Sequence, residues 1–236
     1  MYDIMQTCLI LIPARGGSKG IPRKNMALIG DVPLLTFTIK AAIEAALPGR
    51  ICLSTDDEEM RSFGLGFSIE VPFLRPQAFA RDDSSMISVI KHALDWYDIN
   101  YDFHPTAIML LQPTCPFRKA SSIIAAYHMF QRKDVDSLIS VNVVSEHPCE
   151  YIIRTDTGFK FVMEPPDKPG RQNFPEVFFI NGAIFITKVS FFKDKERLFD
   201  KNAQLYKITQ NESLDIDTPM DIEYANWVYE RNFKSL

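Results

Sequence analysis

The sequence has 236 residues, 46% of them hydrophobic and 24% charged, with a formal net charge of −4. That composition suits a chain with a buried core and excludes bulk disorder, and the near balance of acids and bases argues against a dedicated nucleic-acid binder. Apolar runs such as residues 8–14 fall far short of the roughly 20 residues that cross a bilayer, and no basic segment followed by a long apolar stretch marks a secretory leader; a cytoplasmic protein without membrane contact is expected.

Residues 7–13 are continuously apolar and end in a loop rich in proline and glycine, the pattern of a buried strand. A helical pattern covers 36–46, a short strand 50–54, and a helix opens near Asp56. Over 84–97, Ile87, Ile90, Ala93, Leu94 and Tyr97 recur at helical spacing, with Ser84 or Ser85 as cap. A strand at 107–112, a helix at 121–131 and a strand at 137–141 follow. This alternation predicts an α/β fold, a mostly parallel sheet between helices. Past Val144 the rhythm changes. Residues 150–154 and 158–162 read as a hairpin, 165–175 are polar and proline-rich, and 180–187 return to strand character. Thr218 and Pro219 then open a C-terminal helix, with Asp221 completing a capping box. We expect one domain over 1–236, with residues 145–175 as an excursion serving as dimer arm or lid. Cys8, Cys52, Cys115 and Cys149 stand at wide, unpatterned intervals, which excludes a zinc ribbon and suggests free thiols in a reducing compartment.

The sharpest feature is the loop at 13–25, directly after the first strand. No acid occurs from Ile4 to Ala27 and on to Gly30, yet Arg15, Lys19, Arg23 and Lys24 fall close together. Gly16, Gly17 and Gly20 let the backbone turn and expose its N–H groups, and a nest of such donors ringed by cations suits a polyphosphate. Two generic motifs fail on spacing. Lys19 is followed by Gly20 rather than Ser or Thr, and Gly16 and Gly17 are adjacent, so neither a Walker A loop nor a Rossmann fingerprint is present. A merely solvated basic loop is the alternative.

Near the other end, Leu214 and Ile216 alternate with Asp215 and Asp217. In an extended chain both carboxylates then point to one side and the apolar pair to the other. Two like charges on one face call for a cation, and carboxylate oxygens suit Mg²⁺. The alternative is that Asp217 only caps the following helix.

With residues 12–25, Ser54-Thr55-Asp56, Phe73-Leu74-Arg75-Pro76, residues 82–85, Leu111-Gln112-Pro113-Thr114, Glu146-His147-Pro148, Asn181-Gly182-Ala183-Ile184 and residues 213–217 in this order, the chain resembles, nearly end to end, the cytidylyltransferases that activate nonulosonic acids, the CMP-sialic acid (N-acylneuraminate) synthetases. The resemblance implies a GT-A-like nucleotidyltransferase fold, a homodimer, CTP as donor and Mg²⁺ (or Mn²⁺) as cofactor. It implies a nucleotide site at Arg15, Gly16, Ser18, Lys19, Lys24, Asn25, Arg75, Asp82, Ser84 and Ser85. Arg15, Lys24 and Asp217 would act in catalysis, and Asp215 and Asp217 would hold the metal. Gln112, Arg171, Gln172 and Asn181 would bind the sugar acid, arginine being suited to a carboxylate. For Arg75 the alternative is a surface ion pair with Asp82 or Asp83; for Gln112, an amide satisfied by neighbouring backbone; for Arg171, a solvated loop residue. His147 is read as structural in preference to catalytic. Cys115 and Phe117 replace the serine and leucine usual in the family, conservatively in size. Glu150 stands where some sialate-specific members carry lysine, which keeps other nine-carbon acids such as legionaminate open beside N-acetylneuraminate. Two other readings remain: the same fold acting on Kdo or pseudaminate, and a non-catalytic nucleotide-sugar-binding protein.

Overall fold

The computed structural model describes residues 7–232 other than 19, 82, 133 and 169. In chain order its elements are β1 (Cys8–Pro13), β2 (Leu28–Ile29), β3 (Val32–Pro33), α1 (Leu34–Ala45), β4 (Gly49–Ser54), α2 (Glu58–Gly64), α3 (Met86–Tyr101) and β5 (Ala107–Leu110). They continue with α4 (Ala120–Phe130), β6 (Ser137–Val143), β7 (Ile152–Thr155), β8 (Gly158–Phe161), β9 (Phe178–Lys188), α5 (Val189–Lys195), β10 (Gln204–Lys207) and α6 (Pro219–Asn232). The main sheet has six strands in the order β10-β6-β9-β5-β1-β4. β4, β1 and β5 are parallel, as are β10 and β6, whereas β9 runs antiparallel to both β5 and β6. The sheet is therefore mostly parallel, with one reversed strand.

β1 is apolar throughout because it is buried on both faces. Its odd residues Leu9 and Leu11 enter the core under α3 and α5 with Ile90, Tyr97 and Phe192. Its even residues Ile10 and Ile12 enter the opposite core under α1 and α4, with Leu35, Ile39, Ile123 and Tyr127. Period-2 alternation thus feeds two layers from one strand. A third cluster joins Ile29, Leu34, Phe117, Ile216, Ala225 and Val228, so α6 clamps the 214–217 segment against the start of α1.

The local signals hold with small adjustments. Ser85, not Ser84, caps α3, its hydroxyl accepting from the Ile87 amide at 3.1 Å. The predicted strand at 107–112 stops at Leu110, leaving Gln112-Pro113-Thr114 in the following turn. At α6 the capping box is reciprocal: Asp221 Oδ2 accepts from the Thr218 amide at 2.7 Å, and Thr218 Oγ1 accepts from the Asp221 amide at 3.4 Å. α5, β10 and the β2–β3 ribbon lie outside every sequence-based expectation. The four cysteines are free and buried, and no helix among the described residues is long and apolar enough to cross a membrane.

β7 and β8 form a two-stranded antiparallel ribbon with the expected hairpin register, from Ile152 opposite Phe161 to Thr155 opposite Gly158. Its Ile152 and Phe159 are 57% and 61% exposed, so the ribbon brings apolar side chains to the surface.

Candidate active site

β4, β1 and β5 are parallel and end at one edge, where the loops that leave them line a cavity of about 360 Å³. Open α/β sheets place ligands outside the carboxyl ends of their strands. Arg15 and Asn25 reach the cavity from the loop after β1, Arg75 from the chain beside β4, Gln112 and Thr114 from the turn after β5, and Asp215 and Asp217 from the segment before α6. Hollows of about 480 Å³ over α3 and 500 Å³ between α1 and α4 are larger, but of these three it is this cavity that gathers Arg15, Arg75 and the paired carboxylates.

The loop at 13–25 is held by its own polar groups. Asn25 is 5% exposed, and its Nδ2 donates to the Arg15 carbonyl at 3.0 Å, tying the end of the loop to its beginning. The Gly16 amide donates to Asp56 Oδ1 at 3.0 Å. A Cβ on Gly20 would lie 2.5 Å from the Asp217 carbonyl oxygen, so glycine is required for the loop to lie against the 213–217 segment. Lys24 Nζ, on a 16% exposed side chain, sits 2.8 Å from Asp217 Oδ1.

Arg75 is 4% exposed, and among the described residues its ion-pair partner is Asp56, with Nη2 at 3.5 Å from Oδ1; of the aspartates of the alternative reading, Asp82 lies outside the described residues. Its backbone amide donates to the Thr55 carbonyl at 2.7 Å. Nε and Nη2 are buried without a hydrogen-bond partner. Burial pulls the pKa of the guanidinium down, the Asp56 charge opposes this, and the nearby Arg15 charge adds to it. Two arginines beside one cavity repel each other unless an anion lies between them.

The 214–217 segment runs as its alternation predicts. Ile216 is fully buried and its amide donates to the Thr114 carbonyl at 2.9 Å, while Asp215 and Asp217 face the cavity. Burial raises the pKa of Asp215; the Thr114 hydroxyl lowers it, and the neighbouring Asp217 charge raises it further. Asp215 Oδ1 is buried with no partner. An orphaned carboxylate oxygen beside a second carboxylate fits a divalent cation. Among the described residues no group of three or more His, Cys, Asp or Glu could hold a metal, so the fit is to an ion that completes its shell from water and phosphate, as Mg²⁺ does.

The other expected residues that are described do not line this cavity. Ser18 is half-buried in the loop. Ser84 Oγ donates to the Ala78 carbonyl at 3.0 Å, and Ser85 caps α3. Asn181 is 3% exposed and engaged by its surroundings: its Oδ1 accepts from Ser140 Oγ at 2.6 Å and from the Ala183 amide at 3.1 Å, and its Nδ2 donates to Asn142 Oδ1 at 3.2 Å. This network spans the register shift between β6 and β9. Arg171 and Gln172 are exposed in the excursion, with Arg171 Nη2 at 2.8 Å from Glu150 Oε1. His147 accepts the Cys149 amide and lies 2.9 Å from the Pro175 carbonyl, a structural cap as expected. Lys19 and Asp82 fall outside the described residues.

Two polar residues received no site role from the sequence. Asp56 directly follows a buried strand beside the loop, a position that could have marked it. Arg118 is 3% exposed, and its guanidinium donates to the carbonyls of Gln112 at 3.2 Å and Ala183 at 2.7 Å and to Thr38 Oγ1 at 2.7 Å. It fixes the turn that carries Gln112 from behind. Beside it Gly182, with φ of +73°, leaves room for Gln112, whose Oε1 would lie 2.8 Å from a Cβ there. Burial pulls the Arg118 pKa down to about 10.

A family model described as Cytidylyltransferase matches residues 9–234. An N-acylneuraminate cytidylyltransferase of Streptococcus agalactiae serotype V is 33% identical over 216 residues, covering 90% of this chain and 51% of its own length. The CMP-N,N'-diacetyllegionaminic acid synthase of Legionella pneumophila is 31% identical over 236 residues, covering 97% of this chain and 98% of its own length. The chain thus spans about half the length of the streptococcal relative and nearly all of the Legionella one. Among solved structures, a CMP:2-keto-3-deoxy-manno-octonic acid synthetase complexed with CTP superposes with a TM-score of 0.71 at 13% identity, covering 96% of this chain and 100% of its own; that likeness speaks to the fold.

Proposed function

The chain belongs to the cytidylyltransferase family, and from that premise we propose that it joins CTP to a nonulosonic acid, giving the CMP-sugar and pyrophosphate. The observation that carries this reading is the meeting of Arg15, Asn25, Arg75, Gln112, Asp215 and Asp217, from separate stretches of sequence, around one cavity. Two cations and two carboxylates around one cavity match a triphosphate bound with a divalent ion.

In this reading the acid's anomeric hydroxyl attacks the α-phosphorus in line. The new O–P bond forms as the α–β bridging bond breaks, pyrophosphate leaves with that electron pair, and the hydroxyl's proton is released to solvent. Arg15, Arg75 and Lys24 neutralise phosphate charge, and Ser18 and Lys19 belong to the same loop. Gly20 lets that loop lie against Asp217. Asp215 and Asp217 would hold Mg²⁺, which when bound supplies charge neutralisation and a lowered pKa for the attacking hydroxyl. Most of the acceleration then comes from positioning and charge neutralisation. Gln112, Arg171, Gln172 and Asn181 are proposed for the acid, with Arg171 and Gln172 acting from the excursion.

The excursion is also the proposed dimer arm of a single-domain chain in the cytoplasm. The exposed Ile152 and Phe159 on the ribbon support this, because a two-stranded ribbon has no core of its own. Within the same family chemistry, pseudaminate or Kdo is the second reading for the acid; a pseudaminic acid cytidylyltransferase of Campylobacter jejuni is 26% identical over 230 residues. Incubation with CTP, Mg²⁺ and a panel of acids, read by pyrophosphate release, tests the proposal. Release is expected with N-acetylneuraminate or legionaminate and not without acid. Turnover with none of the panel, despite CTP binding, would favour a nucleotide-sugar-binding protein.

A further inference from the structure

Asp56 is not among the expected site residues, yet it touches two of the groups that shape the cavity. Its Oδ1 accepts the Gly16 amide at 3.0 Å and faces Arg75 Nη2 at 3.5 Å. Its side chain is 19% exposed, whereas that of Arg75 is 3% exposed. The segment that carries it is tied at several points. Thr55 bridges in parallel to Leu74, the Arg75 amide donates to the Thr55 carbonyl, and Asp57 Oδ1 caps α2 by accepting from the Met60 amide at 2.9 Å. The loop touches this segment a second time, through Arg23, which lies 3.8 Å from Asp57 and 2.7 Å from Glu59.

We propose that Asp56 is a positioning residue that presents the Gly16 backbone and the Arg75 guanidinium to the nucleotide's phosphates as one unit. A buried guanidinium without a counter-charge is strongly unfavourable, so a carboxylate is needed for Arg75 to wait desolvated beside the cavity. At 3.5 Å the carboxylate balances that charge while Arg75 keeps its place in the cavity lining. The same oxygen fixes the orientation of the Gly16 peptide, so one group sets both walls. This inference rests on the reading of the cavity as a CTP site.

The test is CTP affinity by calorimetry in the presence of Mg²⁺, with melting temperatures alongside, for wild type, Asp56→Asn, Asp56→Ala, Arg75→Met and the Asp56→Ala/Arg75→Met double variant. Asp56→Ala is expected to weaken CTP by about tenfold, because it releases a charge-balanced donor. Asp56→Asn should lose less, since its amide oxygen still accepts from Gly16. In the double variant the two losses should fall well short of multiplying, as expected when one residue acts through the other. Unchanged or tighter binding in Asp56→Ala would overturn the inference, as would multiplied losses. A lower melting temperature with unchanged affinity would make Asp56 merely structural and overturn it equally. If Arg75→Met weakens CTP and Asp56→Ala does not, only this inference falls; a wild type that binds no CTP would bring down the reading of the cavity with it.

Discussion

The 13–25 loop and the 145–175 excursion are both irregular and polar, yet they are held in opposite ways. The loop is anchored by distant partners: Asp56 on its Gly16 amide, Asp217 on its Lys24, and the Asp217 backbone packed against Gly20. The excursion is held mostly by itself, through the β7–β8 pairing, the His147 cap and the Arg171–Glu150 ion pair, and it exposes Ile152 and Phe159. A segment anchored at many points can hold charges in fixed geometry. A segment with exposed apolar side chains and few anchors suits contact with something outside the chain.

Mutations in the two regions should therefore differ in kind. The largest effect is expected at Asp215. Asp215→Asn should slow pyrophosphate formation by about 100-fold or more, the scale of roughly 3 kcal/mol of transition-state stabilisation. Its metal-free melting temperature should stay level or rise, because a buried carboxylate oxygen without a partner is replaced by a neutral group. A collapsed melting temperature would make Asp215 a structural residue.

Lys24→Ala comes next. Loss of one charge-assisted phosphate contact should lower kcat/KM for CTP by about 30-fold, or roughly 2 kcal/mol, and alter KM for the acid much less. An unchanged kcat/KM for CTP would remove the loop from the nucleotide site.

The mildest effect is expected in the excursion. Arg171→Ala should raise KM for the acid by about tenfold at most while leaving CTP binding intact, since an exposed ion pair to Glu150 contributes little to folding. If the excursion serves a neighbouring subunit, mixing Arg171→Ala with Lys24→Ala protein under subunit exchange should restore part of the activity. No restoration with exchange verified would assign the whole site to one chain and end the contrast between the regions.

Features that depend on local chemistry were legible in the sequence. The apolar run of β1, the Thr218/Asp221 capping box and the alternation of Asp215 and Asp217 with Leu214 and Ile216 each follow from spacing alone. Features that depend on a distant partner were not. Nothing near Arg75 in sequence points to Asp56. Arg118 stands beside Lys119 with no local sign of burial, yet tertiary packing buries it against two carbonyls. The polar network that holds the Asn181 amide at the β6–β9 register shift likewise depends on residues far from it in sequence. β10 has only four residues at the sheet edge, and Gln204-Leu205-Tyr206-Lys207 alternates too briefly to stand out.

The central claim is that the carboxylates facing the loop hold a metal for chemistry on CTP. Asp217→Asn tests it most directly, because asparagine keeps the side chain's size and its capping ability but supplies no negative charge. Pyrophosphate formation from CTP and the preferred acid should be followed across a range of Mg²⁺ concentrations, with melting temperature as the control for folding. The account predicts a fall of about 100-fold or more with the fold retained. Full activity of Asp217→Asn at limiting Mg²⁺ would contradict it.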